Sequence, residues 1–281
     1  MKLDMTKINI DSRFRTSNSK SESDFNIELP RSFNVPDGVV AHIDDIVLPV
    51  SWRTIDERNN VCSVVFACHN DIKEETFTFE SRNYDGATFA TALAEKLNTA
   101  VAGFRVDGHL AVPTIICAYE QTENILTISI VDTSRTETER DNYPFYLEIY
   151  TDEMLIPRYR ENANTINTII RNTSQTLITQ AKPYVCYLDL FQTRNLYLIS
   201  SALASYDTVS NFGWDTIVKQ IPCAAGYNKL LTQSSRSALD GLDVSKRTLH
   251  IIDFKLVDSS FRTVLLQGNH FSFSILFAQK N

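Results

Sequence analysis

From Phe271 to Phe277 the chain alternates: Phe271, Phe273, Ile275 and Phe277 fall on one face, Ser272 and Ser274 on the other. A period of two is the pattern of a strand with one face in a core, since a helix would scatter those four side chains around its axis. A long strand faced with three aromatics belongs in the interior of a β-sandwich. A second apolar run, Thr248 to Val257, precedes it across a polar break.

Most of the remaining chain reads the same way. Lys7–Ile10 is a short strand that runs into a polar, Ser-rich stretch, Asp11–Ser23, which lacks the apolar residues to pack a core and reads as a loop or mobile arm. Phe25, Ile27 and Leu29 alternate within Asp24–Leu29, and Pro30 is the expected stop. Further strands are expected at Gly38–Leu48, stopped by Pro49, and at Leu110–Tyr119, Asn124–Asp132, Phe145–Tyr150, Tyr184–Phe191 and Asn195–Ser200. Val61–Cys68 and Glu75–Glu80 read as a pair joined by the loop His69–Lys73. Ala163–Gln180, rich in Thr, Ile and Asn, reads as strand, Thr133–Asn142 as a charged loop, and Thr151–Tyr159 as a helical turn. Ser205–Ser245 carries few regular signals and is broken by Gly213, Pro222, Gly226 and Gly241. One helix stands out, Asp85–Ala100: Asp85 can cap it, Phe89, Leu93 and Leu97 recur every fourth residue, and Gly103 follows its end. Strands outnumber helices and do not alternate with them. The expected class is therefore mainly β, an antiparallel sandwich with one or two short helices, and a parallel α/β sheet is excluded.

Chemistry leaves no signature. The motifs G-x-S-x-G, H-E-x-x-H, G-x-x-x-x-G-K-[ST] and G-x-G-x-x-G are absent. Asp44-Asp45 and Glu74-Glu75 are neighbours in strand-like sequence, which points each pair to opposite faces and keeps them from sharing a proton or metal. His250 and His270 sit in the terminal strands rather than beside a nucleophile motif. The five cysteines, Cys62, Cys68, Cys117, Cys186 and Cys223, form no C-x-x-C pair and lie mostly in apolar runs, so they read as buried thiols of a reducing compartment. His69 alone does not complete a zinc site beside Cys62 and Cys68, which share one face. The formal charge of −7 argues against general nucleic-acid binding. Met1–Lys7 is charged and has no apolar stretch of a secretory signal, and no run reaches the ~18–20 apolar residues of a membrane span. Without a signal, Asn172-Thr-Ser174 reads as a chance glycosylation acceptor.

Two groups are candidates for recognition. Arg13 and Arg15 flank Phe14 in an otherwise polar segment, the pattern of an interface anchor or of an aromatic docked on its own domain. Trp52 and Trp214 could serve a concave sugar-binding face, or pack at a sheet edge or protein interface.

Five pieces occur in an order that carries a resemblance. They are Ile10-Asp-Ser-Arg13 with Phe25-Asn-Ile-Glu-Leu-Pro30; His42-Ile-Asp-Asp-Ile-Val-Leu-Pro49 followed by Trp52 and Asn59-Asn60; Tyr84-Asp-Gly86 before Leu93 and Leu97-Asn98; Asn124-Ile-Leu-Thr-Ile-Ser129; and Ile252-Asp-Phe-Lys-Leu-Val-Asp258 with Phe271–Phe277. The chain resembles the penton, or vertex minor capsid, proteins of the Polinton-like, virophage and large DNA virus group, in the adenovirus-like capsid lineage. The resemblance implies a single jelly-roll domain over 24–281 behind an arm of residues 1–23, with an insertion within about 133–245, the region that departs most from the pattern. It implies a non-enzymatic virion protein, assembled in the host cell interior, that forms a homopentamer at the icosahedral five-fold vertex. Partners would be the major capsid protein and other minor capsid proteins or a fibre, with no cofactor, no specific nucleic acid and only indirect membrane contact. The rival readings are a cement protein or spike base and, from another class, a carbohydrate-binding sandwich.

Overall fold

Alternating sequence becomes strand from one end of the described chain to the other. The computed structural model describes residues 5–106, 109–110, 113–151, 154, 165–172, 174, 176–191, 193–205, 216–234 and 241–279. In chain order the elements begin with β1 (Thr6–Asp11), β2 (Asp24–Asn34), β3 (Val39–Pro49), β4 (Val61–Cys68) and β5 (Asp71–Thr78). Helix α1 (Gly86–Val101) leads to β6 (Arg105–Val106), β7 (His109–Leu110), β8 (Thr114–Glu120) and β9 (Ile125–Val131). A short α2 (Glu137–Asn142) precedes β10 (Phe145–Ile149), β11 (Leu177–Ile178) and β12 (Tyr184–Tyr187). The last group is β13 (Asn195–Ile199), β14 (Ile217–Pro222), β15 (Leu230–Gln233), β16 (Leu242–Asp243), β17 (Thr248–Val257) and β18 (Ser272–Gln279). They fall into two compact units, one of residues 1–52 with 193–281 and one of residues 53–192.

The first unit is two antiparallel sheets. One runs β1-β18-β3-β15, with β16 also on β3, and the other β14-β13-β17-β2. Counting β15 and β16 as one interrupted strand, eight strands in chain order are dealt between the sheets as first-eighth-third-sixth and fifth-fourth-seventh-second. That order is the jelly roll. Both terminal strands are interior: β18 lies between β1 and β3, and β17 between β13 and β2. Their inward aromatics make the core, with Phe254 edge-on to Phe273 at 4.9 Å and Phe25 edge-on to Phe271 at 5.7 Å.

Several local readings change. β2 continues through Pro30 because its register against β17 shifts between Leu249 and Ile251; a proline on an edge strand, in that slack, removes no ladder bond. In β3 the register against β18 shifts between Ser272 and Ser274, and Asp45 takes φ 49°, so Asp44 and Asp45 sit at a bulge rather than in plain alternation. The N-terminal segment is a strand from Thr6, paired with β18 from Thr6↔Phe277 to Asp11↔Ser272, and Ile10 is only 1% exposed. The Ser-rich stretch after it is tied down as well: Thr16 N–H donates to Asn26 O at 2.9 Å, and the N–H groups of Lys20 and Ser21 donate to Asp24 O at 3.0 Å. Of the arm expected over residues 1–23, the described part from Thr6 onward is therefore tied to the sandwich rather than independent of it. The second unit interrupts the jelly roll at residues 53–192, whereas the sequence reading set the insertion within about 133–245. Strands β13 to β16 lie in that range but belong to the first unit; β14 to β16 are short and flanked by Gly or Pro, which hid them.

The second unit packs the sheets β11-β10-β4-β5 and β12-β9-β8 around its own core, and β6-β7 form a separate two-stranded ribbon. The Asp85 side chain accepts from Thr88 N–H and the Thr88 hydroxyl accepts from Asp85 N–H, closing a capping box, and Phe89, Leu93 and Leu97 are fully buried. Gly86 leaves room for the ring of Tyr119; a Cβ there would lie 2.1 Å from Tyr119 Cζ. At the far end Asn98 donates to Ile115 O at 2.8 Å and accepts from Ile115 N–H at 2.9 Å, occupying the free edge of β8 as a neighbouring strand would.

Here too the reading is corrected. The β4–β5 turn is only His69-Asn70, with His69 at φ 54°, so Asp71–Glu74 extend the strand. Thr133–Asn142 contains α2, capped by Thr136 and Glu139. Among the described residues of 163–180 the strand is Leu177–Ile178; Ile166–Thr168 is a 3-10 turn that buries Ile166, and Ile169 and Ile170 follow it into the core. β-branched residues here pack a compact turn rather than a pleat. Of the turn expected at Thr151–Tyr159, residues 152–153 and 155–159 lie outside those described. Asn172 is 5% exposed and donates to Ile149 O at 2.9 Å, so the asparagine of the glycosylation motif is shut in the interior.

Candidate assembly surface

The Arg13-Phe14-Arg15 cluster sits on a built turn. β1 ends at Asp11, whose carboxylate accepts from the Arg13 backbone N–H at 2.9 Å and from Arg13 Nη2 at 2.6 Å, capping the 3-10 turn Ser12–Phe14. The hydrogen bond from the Arg13 guanidinium holds the Asp11 carboxyl below its ordinary range. Ser12 is fully buried: its N–H donates to Phe271 O at 3.0 Å, and its hydroxyl accepts from Phe271 N–H at 3.1 Å and meets His270 Nδ1 at 3.2 Å. Arg15 Nη1 donates back to Ser12 O at 3.2 Å. Phe14 alone has no such tie and stands 76% exposed at the crest. The Ile10-Asp-Ser-Arg13 motif thus has a physical account. Ile10 enters the core, Asp11 caps the turn, Ser12 locks it to β18, and Arg13 neutralises the cap.

Ser12, His270 and Asp11 have the composition of a catalytic triad but not its geometry. The hydroxyl is sealed from solvent and already accepts a backbone N–H, and Arg13 holds the carboxylate. His69 packs edge-on to Tyr143, and His250 lies 3.4 Å from Glu28 on the surface. Among the described residues no group of three His, Cys, Asp or Glu could hold a metal ion, and no helix is long and apolar enough to cross a membrane. Trp52 is half-buried and packs against the core of the first unit; Trp214 lies outside the described residues.

The structure adds apolar groups that the sequence reading did not single out. In the first unit Met5, Tyr227 and Leu230 are exposed. In the second, Val185 and Tyr187 of β12 and Ile116 of β8 lie open on one sheet, with Phe191 just beyond. The available signal was a strand apolar at every position: Tyr184-Val-Cys-Tyr187 has no polar face, so one apolar face must be left for a partner or for solvent. Cys62, Cys68 and Cys186 are buried and Cys117 and Cys223 half-buried, and all five are free thiols. Burial pushes Cys117 and Cys186 up to about 12 and Cys223 to about 11.

No protein-family model and no curated protein matches the chain. Its fold is similar to that of the mavirus penton protein, with a TM-score of 0.56 and 11% identity over 98% of this chain and 99% of that one. It is similar also to a chain in the 3.5 Å cryo-EM structure of the Sputnik virophage, with a TM-score of 0.53 and 11% identity over 99% of both chains. The likeness runs through both compact units and is one of fold.

Proposed function

We propose that this chain is a structural capsid protein, a penton that closes as a homopentamer on the icosahedral five-fold vertex and meets the surrounding major capsid protein. The observation that carries the reading is the extent of the likeness to the mavirus penton protein, 98% of this chain, so that the jelly roll and the unit set into it are both included. The rigid turn that presents Phe14 supports it, since an exposed aromatic on a pre-ordered support loses little entropy on docking. A structural role fits the Ser12–His270 contact, which is a sealed lock between β1 and β18. A ring needs two different complementary patches on each copy, because a self-complementary patch stops at a dimer.

The test is the mass of the purified protein by light scattering on a sizing column across a concentration series, with negative-stain images. The expected result is a species of about five times the 31.9 kDa chain mass, seen as rings. A protein that remains monomeric over the whole series and yields no rings overturns the pentamer.

A further inference from the structure

We propose that the two edges of the β1-β18-β3-β15 sheet are the two halves of the contact between copies, the β1 edge of one chain pairing with the β15 edge of a second. The inference rests on the ring reading above and names its interface.

Three observations carry it. The first is which backbone groups are free. Ser12 N–H bonds Phe271 O, which fixes the hydrogen-bonded phase of β1 with β18 at even residues; the N–H and C=O of Lys7 and Asn9 therefore point away from the sheet. Val50 N–H bonds Lys229 O, which fixes the phase of β15 with β3 at odd residues of β15, so the backbone groups of Leu230 and Thr232 point outward.

The second is that the two phases agree. Lys7 and Asn9 turn their side chains to solvent while Ile8 and Ile10 face the core; Leu230 and Thr232 face solvent while Leu231 is buried. Pairing the outward groups of one edge with those of the other puts core-facing residues on the same side, as a continuous sheet requires. Each neighbouring pair in the sheet is antiparallel, so β15 runs opposite to β1. A second copy in the same orientation thus continues the alternation without a break. A second copy is the occupant because its β15 edge matches the β1 edge in hydrogen-bonding phase, strand direction and buried face.

The third is how the edges are finished. The edge strands of the other sheet, β2 and β14, carry Pro30 and Pro222, and β2 is also bulged, the usual devices that discourage pairing. Neither β1 nor β15 contains proline, and apolar side chains are exposed at both: Met5 and Phe14 at the ends of β1, and Tyr227 and Leu230, the latter 63% exposed, at the start of β15.

The experiment pairs cysteines across the proposed seam in the full chain. Asn9→Cys with Leu230→Cys, treated with a short bis-maleimide, is expected to give a covalent ladder that ends at five chains. Each single variant and the wild type, whose own thiols are buried or half-buried, should give none. Asn9→Pro removes an outward N–H and no bond to β18; it should raise the concentration needed for rings at least tenfold while leaving the melting temperature of the monomer within a few degrees. Rings in the wild type together with no ladder, or with an Asn9→Pro protein that assembles normally, overturn this interface and leave the ring reading standing. Dimers from Asn9→Cys alone also overturn it, since they would mean a two-fold contact. A wild type without rings at any concentration overturns the ring reading and the seam with it.

Discussion

Ile10 and Phe14 are four residues apart and should fail in opposite ways. Ile10 is buried in the jelly-roll core and Phe14 stands in solvent. Ile10→Ala removes three carbons from a packed site, a transfer loss of ~2.4 kcal/mol at ~0.8 kcal/mol per carbon. The cavity left behind brings the total to about 2–4 kcal/mol, because β18 and β2 hold the surrounding Phe273 and Phe25 in place. Phe14→Ala removes a larger side chain but uncovers nothing, so its effect on stability should stay within about 0.5 kcal/mol. The assay is urea unfolding followed by circular dichroism on monomeric protein, with assembly measured separately by light scattering. Ile10→Ala should lower the unfolding midpoint markedly, while Phe14→Ala should leave the midpoint alone and weaken assembly. An Ile10→Ala midpoint equal to the wild type would refute the claim that the N-terminal segment is part of the sandwich. A Phe14→Ala loss as large as that of Ile10→Ala would show that the ring docks on its own chain.

Gly86→Ala should destabilise the second unit by about 1–3 kcal/mol by driving the Tyr119 ring off its site and breaking its 3.0 Å bond to Asn124, whereas in a Tyr119→Ala background it should be neutral or stabilising by up to ~1 kcal/mol; additive unfolding energies would contradict this. Asp132→Asn should cost about 3 kcal/mol at neutral pH, since Asp132 is 1% exposed and pairs with Arg135 at 2.6 Å. Burial pushes that carboxyl up, but hydrogen bonds from Arg135 and Ser134 outweigh it and hold it low; its stabilisation is present above the ordinary carboxylate range and is lost as pH falls through the lowered value. The gap between wild type and variant in acid unfolding should therefore close below about pH 4. The thiols run the other way: with Cys117, Cys186 and Cys223 raised by burial, they stay neutral in the fold and ionise in the unfolded chain, so stability should decline as pH climbs above about 9. Labelling with a thiol reagent at pH 8 should be slow in native protein and fast in urea, and equal rates would count against the buried thiols.

Strands with one wet face were readable because alternation is local: β9, β17, β18 and the first half of β2 follow directly from their apolar phase. The helix was readable for the same reason, its cap and four-residue spacing lying within one short window. Register was less accessible. Pro30 stops a strand only if a backbone donor is needed at that position, and whether β2 is an edge depends on β17, more than 200 residues on. The β4–β5 turn depended on His69 taking a positive φ, which its residue type does not announce. At the candidate surface, Arg13, Phe14 and Arg15 were visible as an aromatic between charges. The rigidity of their support was not, because it comes from Ser12 meeting Phe271 across the whole chain. The exposed edge at Leu230 was missed because β15 is four residues long and lies between breakers.

The eighth strand of the jelly roll also sets the order in which the molecule can be made. β1 and β3 have β18 as a neighbour and β2 has only β17, whereas every strand of the second unit finds its partners within residues 53–192. On a ribosome the second unit can fold as soon as it emerges, while β3 must wait for β15 and β18, β2 for β17, and β1 for β18, the last strand of all. Long-range pairing of this kind is slow, because the loop must close before any contact rewards it. An early chain would carry a finished inner unit and unpaired, apolar outer strands, so molecular chaperones would have their work with the first fifty residues rather than the last. The same delay is a safeguard: β1 gains a fixed outward edge only when β18 has docked, and a chain cannot join a neighbour before its own fold is closed.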